Sequence, residues 1–307
     1  MGKYYIGMDG GGTSTKVLLW DGEKELLRMS AGGLNYNSHG PELVTETLKQ
    51  TRAVLEENGF MPGDCIAVGV GCAGISNPVV RTFLEDTFLR IGYECPVFLF
   101  GDQEAAMFGA FGDEDGILLI SGTGSICLGQ AAQGKRKYRA GGYGHLIDDE
   151  GSAYALGRDI LSAVVKAEDG RLEPTALRGA VFERLDISSI PELVGYVYDR
   201  DHTKKEIAAL ASLLSLPEIK EDAAARRIMD KAAGELEELV KAVAGQMLEN
   251  GEPEELLLVL HGSVLEKNEG IRERLRAKLH ASCPGIRLGK AANDAARGAA
   301  GIAKASV

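Results

Sequence analysis

At 307 residues, with 45% apolar and 26% charged side chains, the chain is long enough for two self-sufficient cores and has the make-up of an ordinary globular protein. Its net charge of -11 opposes non-specific nucleic-acid binding, and no apolar run reaches the length of a bilayer span. The five cysteines lie scattered without a CxxC pair, which speaks against zinc and redox centres and for reduced structural thiols.

The chain opens on a strand-like run, Tyr4 to Met8, where a cleavable apolar leader would stand, and a cytoplasmic location is expected. Short β-rich runs at Val17 to Trp20 and Leu26 to Met29 complete a three-strand meander. A helix is expected from about Pro41 to Asn58, its stripe made by Leu43, Val44, Leu48, Val54 and Leu55 and its end marked by Gly59. The strand Ile66 to Val70, a helix around Val79 to Ile91, the strand Val97 to Phe100 and a helix starting near Gln103 follow. At Gly116 the pattern restarts: Ile117 to Ile120 runs into Ser121-Gly122-Thr123-Gly124-Ser125 as Ile6 to Met8 runs into Asp9-Gly10-Gly11-Gly12-Thr13. Strands at Cys127 to Ala131 and Lys137 to Ala140 flank a basic turn, helices fill Ser152 to Leu248, and a strand at Leu256 to Leu260 precedes a final alanine-rich helix, Ala291 to Ala305. The repeat implies two domains, 1–112 joined by the closing helix at about 291–307, and 113–290.

The first glycine turn serves either a tight hairpin or a phosphate cradle, because three glycines let backbone N–H groups approach an anion closely. Asp9, just before Gly11 and Gly12, is placed to hold Mg²⁺ through water, since magnesium keeps much of its hydration and takes few protein ligands. A second such turn, with Gly122, Thr123 and Gly124 at the matching place, favours a nucleotide cleft over two unrelated hairpins. Asp102, where a buried strand meets a helix, suits a general base and equally an N-cap, roles that are compatible. In Gly141 to Ser152, a glycine turn carries an aromatic, His145 and three acids, which fits either polar substrate recognition or helix capping with a structural histidine. Asn35 can offer an amide to sugar hydroxyls or serve as a plain loop residue, and Gly262-Ser263 ends a strand in a turn that admits an adenine ring.

Taken together, IGMDGGGTSTK at 6–16, GLNYNS at 33–38, GDQEAA at 101–106, ILLISGTGS at 117–125, GGYGHLIDDEGSAY at 141–154, KKEIAALA at 204–211, VLHGSV at 259–264 and NDAARGAAGIA at 293–303 resemble the N-acetylglucosamine kinase group of the BadF/BadG/BcrA/BcrD ATPase family. The resemblance implies an α/β fold of duplicated ribonuclease H-like (actin-like ATPase) domains, with an inter-domain cleft for nucleotide and sugar. It implies ATP and Mg²⁺ as cofactors, phosphorylation of the 6-hydroxyl of an amino sugar, and a homodimer. N-acetylglucosamine is the first expected substrate, with glucosamine and N-acetylmuramic acid as alternatives. Position by position, Asp102 matches the base that takes the 6-hydroxyl proton. Asn35, Gly142, Tyr143, Gly144, His145 and Asp149 match sugar-recognition positions, and Thr13, Thr123, Ala208 and Gly262 match nucleotide-binding ones. Tyr143 stands where the animal enzymes carry tryptophan. The same family includes ATPases that activate CoA-ester dehydratases and reductases through a cysteine-held iron–sulfur cluster. No cysteine loop of that kind is present, and the GGYGHLIDDEGS string favours the kinases.

Overall fold

A computed structural model of the chain describes residues 2–12 and 14–307, so the nucleotide-binding expectation for Thr13 lies outside the described residues. The described residues form two five-stranded mixed sheets in two separate units, Met1–Asp113 with Ala291–Val307, and Glu114–Lys290.

In the first unit, β1 (Tyr4–Gly10), β2 (Ser14–Trp20) and β3 (Glu25–Gly32) form an antiparallel meander, and β4 (Cys65–Cys72) and β5 (Val97–Phe100) extend it in parallel, in the order β3-β2-β1-β4-β5. Alternation dictates the two faces. Tyr4, Ile6, Met8, Val17 and Leu19 enter a core with Val44, Leu48 and Leu55 of α1 (Tyr36–Glu57) and Val80, Leu84 and Phe88 of α2 (Pro78–Arg90). The expected start at Pro41 falls inside α1, which begins five residues earlier and kinks at Gly40 (φ 74°, ψ 170°). The opposite face carries Leu18 and Trp20 on β2 and small residues on β1 and β4, and there α3 (Asp102–Phe111) sets Ala105 against Gly71.

The second unit repeats the plan. β6 (Gly116–Ser121), β7 (Ser125–Ala131) and β8 (Arg136–Gly141) form its meander, with β9 (Leu256–His261) and β10 (Ile286–Gly289) parallel alongside, in the order β10-β9-β6-β7-β8. One helix joins the third and fourth strands of the first unit. Here α4 (Ala153–Glu168), α5 (Leu177–Leu185), α6 (Ile190–Tyr198), α7 (Lys204–Ala209) and α8 (Ala223–Glu249) take that place. Val243 and Met247 of α8 cover Gly129 of β7, and a single core runs from Ile117 and Leu119 through Leu156, Ile160 and Leu236.

Between the His261–Val264 turn and Ala291 the sequence reading assigns no element, yet α9 (Ser263–Lys267), α10 (Glu269–Ser282) and β10 lie there. In α10 only Ile271, Leu275 and Leu279 are buried, a stripe one residue wide among charged neighbours, and β10 is a four-residue edge strand. The closing helix α11 (Ala295–Ala305) begins at the cap Asp294, whose side chain accepts from Arg297 N–H, and belongs to the first unit. None of the described helices is long and apolar enough to cross a membrane.

Candidate active site

In the first unit the parallel strands deliver their carboxyl ends side by side, with Asp9 paired to Gly71 and Gly71 to Phe100. Ligand sites of open α/β sheets form at such ends. Asp9 is half-buried on β1, and its cross-strand partner Lys16 is exposed on the same face. The turn beyond it closes through Gly11 N–H donating to Ser14 O (3.0 Å), while Leu34 N–H donates to Gly11 O (3.3 Å). Asn35 is therefore held next to the turn, and His39 Nε2–H, donating to Gly12 O at 2.5 Å, fastens it from the other side.

Asp102 is not the N-cap. Gly101 takes that position, its N–H donating to Glu104 Oε1 (3.2 Å), and Asp102 becomes the first helical residue, exposed, with Oδ1 accepting from Gln103 N–H (3.0 Å). A helix needs one cap, and extended Gly101 (φ -65°, ψ 148°) with Glu104 three residues on supplies it, which leaves the Asp102 carboxylate facing water. Burial, and after it the Asp102 carboxylate, pushes the Cys72 thiol at the end of β4 up to about 11.

In the second unit, Gly122 N–H donates to Gly124 O (2.9 Å), and Ala153 N–H of α4 donates to Gly122 O (2.8 Å), so the turn is tied to a helix N-terminus. Thr123 is exposed at its tip. Asp149 is 5% exposed, with Oδ1 accepting from Ser125 N–H at 3.4 Å. A side chain at Gly124 would come within 2.8 Å of the same carboxylate, so Asp149 braces the turn from beneath. Gly262 sits beside it on the neighbouring strand end: a Cβ there would lie 2.5 Å from Ser121 O, and its φ of 95° suits glycine alone. Ala208 and Ser263 line one cavity of about 290 Å³, together with Ala153, Leu156, Ala211 and Ser212. The fit depends on Gly157, whose α4 backbone meets α7 so closely that a Cβ would stand 2.0 Å from Ile207 O.

The segment from Gly141 is a built turn. Gly141, Gly142 and Gly144 all have positive φ, Tyr143 N–H donates to Asp148 Oδ2 (2.9 Å), and both Ile147 and Asp148 N–H donate to Gly144 O. Tyr143 is 66% exposed, and the His145 ring meets Tyr154 edge-on at 4.7 Å. Each unit thus gathers its own share of the expected residues: Asp9, Gly11, Gly12, Asn35 and Asp102 in the first, the Gly122–Gly124 turn, Asp149, Ala208, Gly262 and Ser263 in the second.

The sequence profile of the BadF/BadG/BcrA/BcrD ATPase family matches residues 6–303. The chain belongs to this family. It is 35% identical, over 98% of both chains, to the N-acetylmuramic acid/N-acetylglucosamine kinase of Clostridium acetobutylicum. It is 29% identical, over 97% of both, to the N-acetyl-D-glucosamine kinase of Dictyostelium discoideum. A solved structure of a proposed N-acetylglucosamine kinase from Chromobacterium violaceum shares the fold, with a TM-score of 0.78 at 24% identity over 97% of this chain and 98% of that one.

His39 and Arg139 went unread in the sequence. His39 stands just past the 33–38 motif, four residues after Asn35, and Arg139 two residues before the Gly141–Gly142 pair, but neither position carries a sequence signal of the contact it makes.

Proposed function

We propose that the chain is an ATP-dependent amino-sugar kinase that transfers the γ-phosphoryl group to the sugar 6-hydroxyl, with N-acetylglucosamine as first substrate. The observation that carries the reading is the end-to-end match to a curated N-acetylmuramic acid/N-acetylglucosamine kinase. That relative's name makes N-acetylmuramic acid the second candidate, and glucosamine is the third.

Phosphoryl transfer rests on positioning and charge neutralisation more than on covalent help from the protein. In the proposed step, Asp102 takes the proton of the sugar 6-hydroxyl, the bond from that oxygen to the γ-phosphorus forms, and the bond to the β,γ-bridging oxygen breaks to release ADP. The backbone N–H groups of the two glycine turns other than Gly11 N–H and Gly122 N–H, which close the turns, cradle phosphates, and the Ala208–Ser263 cavity receives the base. Asn35, Gly142, Tyr143, Gly144, His145 and Asp149 make up the sugar side, with Tyr143 offering a ring face. Asp9 fits Mg²⁺ held through water, because its carboxylate is half-buried at a strand end beside the turn, where solvent still reaches it. Mg²⁺ there supplies positive charge to the phosphate oxygens. The family resemblance also carries a homodimer, and light scattering on the purified chain measures the assembly.

A coupled assay of ADP release over N-acetylglucosamine, N-acetylmuramic acid, glucosamine and glucose tests the reading. Sugar-dependent turnover with at least one amino sugar is expected, and ATP hydrolysis indifferent to every sugar would sink it. Gly157→Ala tests the base cavity separately. It should lower the melting temperature and, assayed below that lowered transition, raise the KM for ATP about tenfold and the KM for sugar less than twofold, because the added methyl displaces α7 and Ala208. Equal rises in both constants would remove the cavity from the nucleotide site.

A further inference from the structure

Tyr143 is the most exposed aromatic of the proposed sugar segment, and packing does little to hold it. Two polar anchors do. On one side Asp148 Oδ2 accepts from its N–H at 2.9 Å. On the other stands Arg139 of β8, an exposed residue whose Nε–H donates to Gly141 O at 2.9 Å and whose Nη2–H donates to Gly142 O at 2.7 Å. The guanidinium carbon then lies 4.8 Å from the centroid of the Tyr143 ring.

This geometry depends on the glycines. Gly141 and Gly142 adopt φ values of 76° and 78°, and the two successive left-handed residues offer both carbonyls to one planar fork. An ammonium is a single point of charge without that fork, so lysine cannot copy the clasp. A Cβ on Gly142 would approach Arg139 Nη2 to 3.1 Å and Ile126 Cδ1 to 2.8 Å, so the turn closes tightly over the guanidinium. Without the clasp, a turn with three glycines in four residues has many conformations open to it, and the ring loses its fixed direction.

We propose that Arg139 is a positioning residue for the sugar: by clasping Gly141 O and Gly142 O and stacking on Tyr143, it holds the ring in the orientation that receives substrate. The proposal rests on the amino-sugar kinase reading. It assigns Arg139 no contact with the reacting atoms, so its effect belongs to sugar affinity and not to ATP affinity or to the phosphoryl-transfer step.

Steady-state kinetics of the full chain, with sugar and ATP varied independently, tests it. In Arg139→Ala the KM for sugar should rise about tenfold, with the KM for ATP and kcat within about twofold of the parent, since hydrogen bonds from a charged donor carry roughly that much. Arg139→Lys should recover less than half of the loss. Millimolar guanidinium chloride should restore part of the Arg139→Ala activity and leave the parent unchanged. Hydrogen exchange at Gly142 to Gly144 should quicken in Arg139→Ala while α4 and α8 keep the parent's protection. If the parent turns over sugar and Arg139→Ala keeps its sugar KM, the positioning role is wrong and the kinase reading stands. A joint rise in both KM values with lowered thermal stability would mark Arg139 as merely structural. If the parent turns over no sugar at all, both readings fall.

Discussion

Asp102→Asn is expected to lower kcat about a thousandfold, in the middle of the range that general bases contribute, while leaving the fold intact. Asparagine fills the same space and its amide oxygen can still accept from Gln103 N–H, the one hydrogen bond seen on the Asp102 Oδ1. The helix start does not depend on it, because Gly101 and Glu104 form the cap. The melting temperature should therefore move by no more than a degree or two, as for other exposed sites away from caps and cores. The thiol of Cys72 does not replace the lost base: burial, the larger cause of its rise to about 11, persists when the Asp102 charge is removed, so it stays protonated at neutral pH. Coupled ADP release at saturating ATP and sugar measures kcat, and calorimetry measures the melting temperature. A variant that keeps more than a fifth of the parental kcat would remove Asp102 from the base role.

The strand ends proposed for this chemistry were legible because sheet alternation and glycine turns are short-range signals. The run Ile6 to Met8 into a glycine turn, and its echo at Ile117 to Ile120, correspond to the central strands β1 and β6 of two sheets with the same order. What the sequence hid was of two kinds. Helix α10 shows only Ile271, Leu275 and Leu279 to the core, and the partly buried β10 has an edge strand's weak pattern, so periodicity had little to register. The cap at Gly101 was concealed by an aspartate, a commoner capping residue, standing one position later.

The site's supports were hidden for a different reason: they are contacts, and contacts follow from the fold. Nothing in the string says that His39 reaches the carbonyl of Gly12, that Asp149 turns inward under Gly124, or that Arg139 spans two glycine carbonyls. Each of these braces a glycine turn that would otherwise be loose. The motif residues were visible as types, and the residues that hold them in place became visible only with coordinates.

A large stability loss is expected at Gly7. On the face of β1 opposite the aliphatic core, a Cβ at Gly7 would stand 2.0 Å from Ala296 O and 2.5 Å from Ala300 N, and one at Gly69 of β4 would stand 2.1 Å from Ala299 O. These obstacles are backbone atoms of α11, so no rotamer change can relieve them. The helix must lift off the sheet or β1 must bend. The alanine-rich composition of α11 has the same origin, since Ala296, Ala299, Ala300 and Ala303 are all fully buried, Ala299 and Ala303 over Gly69 and Ala296 and Ala300 over Gly7 beside Leu18 and Trp20. Gly7→Ala should cost about 3 kcal/mol, at the upper end of ordinary overpacking, and lower the melting temperature by about 10 °C. Gly234→Ala is the matching control: it lies within α8 with nothing inside 4 Å of its added methyl, and should stabilise by about 0.5–1 kcal/mol through helix propensity. Urea midpoints and calorimetry on both variants measure the contrast. Because β1 runs directly into Asp9 and the first glycine turn, Gly7→Ala should also weaken ATP turnover below its melting transition, whereas Gly234→Ala should not. Equal stability of the two variants would show that α11 does not seat on β1 at backbone distance.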